Sequence, residues 1–200
     1  MRPFFAIAVA LALAGCRKNA KDEIEKFALD AVAAARADGG LGPDLVDADL
    51  VEQVRRVQLA RRTMLDTFDR QALVAVLAGE AGPDRQYPPA ERPLRQRERA
   101  TRGLRAVLSG PCRASRDTDG AVIHVQRMVA PVVGQPEEVS QAMEQLDGAL
   151  RGVDGAVVVC EHGKVGLVVH RARDGRLKLV DMIDLEKPPI EINPNDPTMK

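Results

Sequence analysis

Hydrophobic positions change their period along this 200-residue chain, and each change marks a different kind of element. Phe4–Ala14 is an unbroken apolar run behind the positive start Met1-Arg2. A membrane-spanning helix needs about 20 such residues, whereas the apolar region of a secretory signal takes roughly 7–15. The run is therefore too short to cross and has the length of an export signal. From Asp22 the spacing turns helical, with Ile24, Phe27, Ala28, Ala31 and Ala35 recurring at steps of three and four. Gly39-Gly40 and Gly42-Pro43 stop that helix. Asp44 or Asp47 can cap the next, where Leu50, Val54, Val57, Met64, Leu65, Phe68 and Ala72 keep the period, as one long helix or two with a break near Asp69. Glu52–Arg56 and Asp66–Arg70 are acid-first pairs four apart, the better order for support along a helix. Ala78-Gly79 ends this region.

Residues 80–93, rich in Pro and Gly, predict a linker. A further helix runs to Leu108, and Ser109-Gly110-Pro111 breaks it. Beyond this point alternation dominates. It predicts a strand over Ala121–Ala130 within a hairpin, a helix over Glu137–Arg151, and strands over Ala156–His162, Val165–Ala172 and Arg176–Ile183. Gly163-Lys164 and Asp174-Gly175 are the expected turn centres. The tail 186–200 carries four Pro and is expected to be disordered. The fold class that follows is α+β: a helical N-terminal half, then an antiparallel sheet (hairpin, helix, three-stranded meander) backed by helices.

Composition narrows the function classes. The chain is 45% hydrophobic and 29% charged with formal net charge zero, so it can build a core. One Tyr, four Phe and no Trp leave that core aliphatic and remove the aromatic platforms on which single-stranded nucleic acid stacks. No nucleic-acid partner is expected. Arg outnumbers Lys and Ala is plentiful, as in GC-rich bacterial genomes, and this bias weakens the meaning of any Arg cluster.

Leu13-Ala14-Gly15-Cys16 follows the apolar run and precedes the charged RKNAKDE. It resembles the lipobox of bacterial lipoproteins. The resemblance implies that residues 1–15 are a signal peptide, that Cys16 receives a diacylglycerol and becomes the acylated first residue, and that residues 16–22 tether the fold to a membrane. Several acyl chains anchor stably where one does not. The competing ending is Ala12-Leu13-Ala14, an A-x-A site cut before Gly15. Arg17 occupies the position where Asp holds such proteins at the inner membrane of enteric bacteria, so the default address is the cell envelope at the outer membrane. The expected layout is then signal 1–15, tether 16–22, helical region 23–79, linker 80–93, α+β region 94–185 and tail 186–200.

If Cys16 is lipidated, Cys112 and Cys160 form an even pair in an oxidising compartment, and a disulfide is favoured over two free thiols. With the turn centres above, His170 and Asp181 fall diagonally on one sheet face, close enough for a carboxylate to orient an imidazole. The competing reading is a satisfied structural pair, and a one-residue slip would separate the two. Ser115–Gly120 (SRDTDG) has the odd-position oxygens of a calcium loop, but Gln126 stands where its bidentate Glu belongs, and a turn is the simpler reading. Arg92, Arg95, Arg99 and Arg102 form one helical stripe, either a contact for an anionic surface or a solvated face. Arg97 projects amid the apolar side of that helix. No metal site and no cofactor are expected.

The element order loosely resembles NTF2-like folds through the closing strands GLVVHRARDGRLKLVDM, and roadblock-type domains through LRGVDGAVVVCEHGKVGLVVH. The expected function is a lipid-anchored envelope lipoprotein with a soluble, non-enzymatic binding or assembly domain and an envelope protein partner. The alternative is an NTF2-like small-molecule binder or enzyme whose pocket uses His170 and Asp181.

Overall fold

The computed structural model describes residues 21–37, 40–66, 70–80, 86–88, 91–92, 95 and 108–186. The signal, Cys16, most of the tether and the tail beyond Glu186 lie outside these residues, as does most of the helix expected before Leu108, with Arg97. Helix α1 covers residues 21–36 and buries Ile24, Ala28, Ala31 and Ala35 of the expected stripe together with Val32, while Phe27 is half-buried. Helix α2 is Ala48–Asp66. Asp47 is its cap, accepting the Leu50 N–H at 3.1 Å. A separate helix α3, Arg70–Leu77, packs beside it, and the Arg56 guanidinium of α2 donates to the Leu77 carbonyl at 2.9 Å. Two helices therefore stand where one or two were expected.

Strand β1 (Cys112–Arg116) is followed by helix α4 (Thr118–Val129), helix α5 (Glu137–Ala149) and strands β2 (Asp154–Cys160), β3 (Gly163–Arg171) and β4 (Leu177–Asp184). All neighbours pair antiparallel in the order β1-β2-β3-β4, so the class is α+β. The sheet is a middle layer. One face (Ala156, Val158, Val165, Leu167, Val169, Leu177, Leu179) packs on α1, with Leu41 and Val46 at its edge. The other, through Val168 and Val180, meets the buried stripes of α2, α3, α4 and α5. Val46 also bridges Leu179 in parallel, covering part of the outer edge of β4 just before α2 begins.

Four expectations are corrected. Ala121–Ala130 is not a strand. Its β-branched run fits either period, but Asp117 caps a helix by accepting the Gly120 N–H at 3.0 Å, and Ala121, Val125 and Met128 are buried at helical spacing. The same cap puts the start of a helix where a turn was expected at Ser115–Gly120. The β2–β3 turn sits at Glu161-His162 rather than Gly163-Lys164, because Cys160 pairs with Gly163. This slip of four residues preserves side-chain parity, so the expected faces of β2 and β3 hold. In β4, Val168 faces Asp181 as expected but Val169 faces Leu179, which leaves Val180 as a bulge. The extra residue turns Leu177 and Leu179 toward α1 and Val180 toward the helical layer.

Polar clasps fix the layers. Glu23 of α1 pairs bidentately with Arg171 at 2.7 and 3.1 Å, and Glu25 accepts the Arg116 N–H on the edge strand at 3.1 Å. Arg116 also clamps Asp154 at 2.6 and 3.0 Å, while the Thr118 hydroxyl and Gly155 N–H donate to the same carboxylate at 2.6 and 2.8 Å. Burial pushes the Asp154 carboxyl up, but Arg116, Thr118 and Gly155 together outweigh it and hold it below the usual carboxylate range.

Candidate functional site

The bulge leaves Asp181 opposite Val168 and shifts His170 from Leu179 to Lys178. Asp181 lies on the helical face, where α4 presents His124. Nε2 of His124 donates to the Asp181 carboxylate at 2.8 Å, and Gln58 of α2 contacts the same oxygen at 3.5 Å. The other carboxylate oxygen accepts the Met182 N–H at 2.8 Å. His170 pairs across β3–β4 with Lys178, and the structure brings it no bond to Asp181. The sequence therefore offered the right carboxylate and the wrong imidazole. His124 was missed because its segment read as a strand; the signal that finds it is Asp117 ahead of an Ala121-Val125-Met128 stripe. Next to this pair, Arg61 of α2 donates to the last carbonyls of α4, Arg127 O at 2.7 Å and Met128 O. The His124–Asp181 link sits within a helix-to-sheet seam, and its bonds tie α2 and α4 to β4.

A concavity lies elsewhere, as an open groove of about 490 Å³ among α2, α3 and α5. That volume is within the roughly 300–1,000 Å³ of ordinary ligand pockets. Its apolar floor includes Val57, Leu77 and Ala142, and Gln53, Gln141 and Gln145 give it amide groups. Arg56 and Glu138 flank it with opposite charges. Each charge has a protein partner: Arg56 Nε is 3.6 Å from Glu52, and Glu138 bonds Arg70. The Arg70 hydrogen bond holds the Glu138 carboxyl below its ordinary value. A surface of this kind suits a partner that offers both donors and acceptors. Neither His170 nor Asp181 lines it.

Cys112 and Cys160 stand directly opposite each other on β1 and β2 and form a disulfide, as expected. The Arg36 guanidinium at the end of α1 lies over the bond, with Nη2 2.9 Å from Cys112 Sγ, 4.0 Å from Cys160 Sγ and 2.6 Å from Gly110 O. Of the arginine stripe, Arg92 donates to Gly79 O at 2.8 Å and Tyr87 O at 3.2 Å, and Arg95 stacks 4.6 Å from the Tyr87 ring centre. Both turn inward to their own chain. Arg99 and Arg102 lie outside the described residues.

Among the described residues, no three His, Cys, Asp or Glu side chains are grouped to hold a metal ion, and no helix is long and apolar enough to cross a membrane. Comparison with models of protein families, with characterised proteins and with solved structures finds no match to this chain, so its function is argued from its own residues.

Proposed function

We propose that this protein is a lipid-anchored cell-envelope lipoprotein whose α+β domain binds an envelope partner without catalysing a reaction. The observation that carries the reading is the Cys112–Cys160 disulfide. It leaves Cys16 as the chain's one cysteine outside the pair, directly behind the apolar run Phe4–Ala14 and within Leu13-Ala14-Gly15-Cys16. Cross-linked thiols suit an exported protein, and a lone cysteine at that position suits an acyl acceptor. The groove among α2, α3 and α5 is the surface we assign to the partner. The alternative built on His170 and Asp181 lacks comparable support, because Asp181 is bonded to His124 and neither residue lines the groove.

Mass spectrometry of the mature chain, expressed in a bacterium with its own signal, tests the reading. The expected N-terminal peptide begins at Cys16 and carries acyl chains, and the protein sediments with membranes. Cys16→Ser should lose both properties. An unmodified chain beginning at Gly15 would overturn the proposal.

A further inference from the structure

We infer that Cys112–Cys160 is an exchange-active disulfide, open to reduction by dithiol donors while the fold stays intact, with Arg36 positioning the charge that makes it so. Three placements carry this. The bond lies at one end of the sheet, between the edge strand β1 and the last residue of β2, so among the described residues no other strand covers Cys112 from outside. Cys112 is half-buried beside exposed Gly110, Pro111 and Arg113, whereas Cys160 is only 8% exposed. An incoming thiolate therefore has one sulfur to attack. Finally, the exposed guanidinium of Arg36 reaches both sulfurs, at 2.9 and 4.0 Å. A cation at that distance stabilises a thiolate, and a stabilised thiolate is the better leaving group in exchange.

The step balances with a dithiol as reductant. Its thiolate attacks Cys112 Sγ and forms a mixed disulfide; the Sγ–Sγ bond breaks and its electron pair leaves on Cys160 Sγ, 4.0 Å from Arg36. The donor's second thiol then attacks its own sulfur in the mixed disulfide and expels Cys112 as thiolate, 2.9 Å from the same guanidinium. The donor ends as a disulfide, the protein gains two electrons, and the two thiol protons pass to solvent or to the cysteine pair. The fold has reason to survive, because the remaining β1–β2 ladder from Arg113–Val159 to Arg116–Ala156 and the Arg116–Asp154 clamp do not involve sulfur.

The test uses the mature chain with Cys16→Ser, so that the pair supplies every thiol, and dithiothreitol as donor. Thiol labelling follows reduction while far-UV circular dichroism follows the fold. Reduction should precede any loss of structure. Arg36→Gln keeps a donor for Gly110 O but removes the charge. It should slow reduction several-fold and, at a pH above the thiol pKa, lower the equilibrium constant for reduction by up to about tenfold, the effect of one unit of thiol pKa. Arg36→Lys should restore most of both, and added salt should narrow the difference. Equal rates for Arg36→Gln and the parent would overturn the inference. So would reduction that proceeds only at the rate of global unfolding. Neither outcome depends on whether Cys16 is acylated.

Discussion

Replacing Gly155 with alanine probes the close approach of α4 to the sheet. Gly155 lies on β2 where the start of α4 crosses it, and a Cβ there would stand 2.6 Å from the Ala121 methyl, 2.7 Å from Asp117 O and 3.0 Å from Leu167 O. Two of these atoms are backbone and the third is fixed to backbone, so no rotamer change relieves the clash. Carbon contacts settle near 3.5–4.0 Å, and α4 must therefore lift by about 1 Å. Overpacking of this kind costs about 1–3 kcal/mol. The same lift strains the Asp117 N–H bond to Gly155 O, 2.8 Å long, which joins the cap of α4 to the sheet. A net hydrogen bond adds about 1 kcal/mol, so the expected loss is about 3 kcal/mol. For a domain of this size that is a fall in Tm of roughly 6–12 °C. Urea unfolding followed by circular dichroism should show a lower midpoint with an unchanged slope. Gly148 is the control: it sits in α5 with nothing within 4 Å of its would-be Cβ, and Gly148→Ala should stabilise by about 0.5–1 kcal/mol. If Gly155→Ala unfolds within about 0.5 kcal/mol of the parent, the described contact between α4 and β2 is wrong.

Other substitutions test the polar framework. Asp154 titrates below its unfolded value of about 3.9. Its contribution is thus present above that value and fades as pH falls through the lower folded one. Asp154→Asn should flatten acid unfolding below about pH 4, and an unchanged acid limb would exclude the Arg116 clamp as its source. His124→Ala should cost about 1–2 kcal/mol in urea unfolding, and His170→Ala clearly less; the reverse order would contradict the bond to Asp181. Asp117→Ala should cost about 1 kcal/mol through the lost cap of α4, while Asp117→Asn should retain most of it. Replacing both Cys112 and Cys160 by serine opens a link of separation 48, which the chain-entropy model values at about 4 kcal/mol; a loss below about 1 kcal/mol would indicate that the bond does not form in the purified protein.

Much of this architecture is legible in the residues, and the failures have physical causes. The burial of Ile24, Ala28, Ala31 and Ala35 and the three closing strands follow from period, and Asp47 is one of the two caps the residues offer. The disulfide follows from the cysteine count only once Cys16 is set aside, as the lipobox resemblance implies. Ala121–Ala130 misleads because Val122, Ile123, Val125 and Val129 have strand propensity, and tertiary packing on β2 overrides it. Cys112–Arg116 was not anticipated as a defined strand because an edge strand needs little apolar patterning: its exposed positions are Arg113 and Ser115. The candidate site suffers most. One bulge at Val180 and one misread helix move the partner of Asp181 from His170 to His124, and local sequence does not announce a bulge. The groove joins the neighbouring helices α2 and α3 to the distant α5, and no local pattern marks it.

Helix α1 is held lengthwise: Glu23 to Arg171 near its start, Glu25 to Arg116 next, and Arg36 to the disulfide at its end. At 1.5 Å per residue the first and last of these attachments are about 20 Å apart. The spacing gives the domain a mechanical order. A pull entering through the N-terminal segment meets the exposed Glu23–Arg171 pair first. Next it must draw Ile24, Ala28 and Ala31 off the sheet, turn by turn. Arg36 and the disulfide are the last of the three attachments to take load, so a pull from that end would open the contacts of α1 with β3 and β1 in turn before it reached the cross-link.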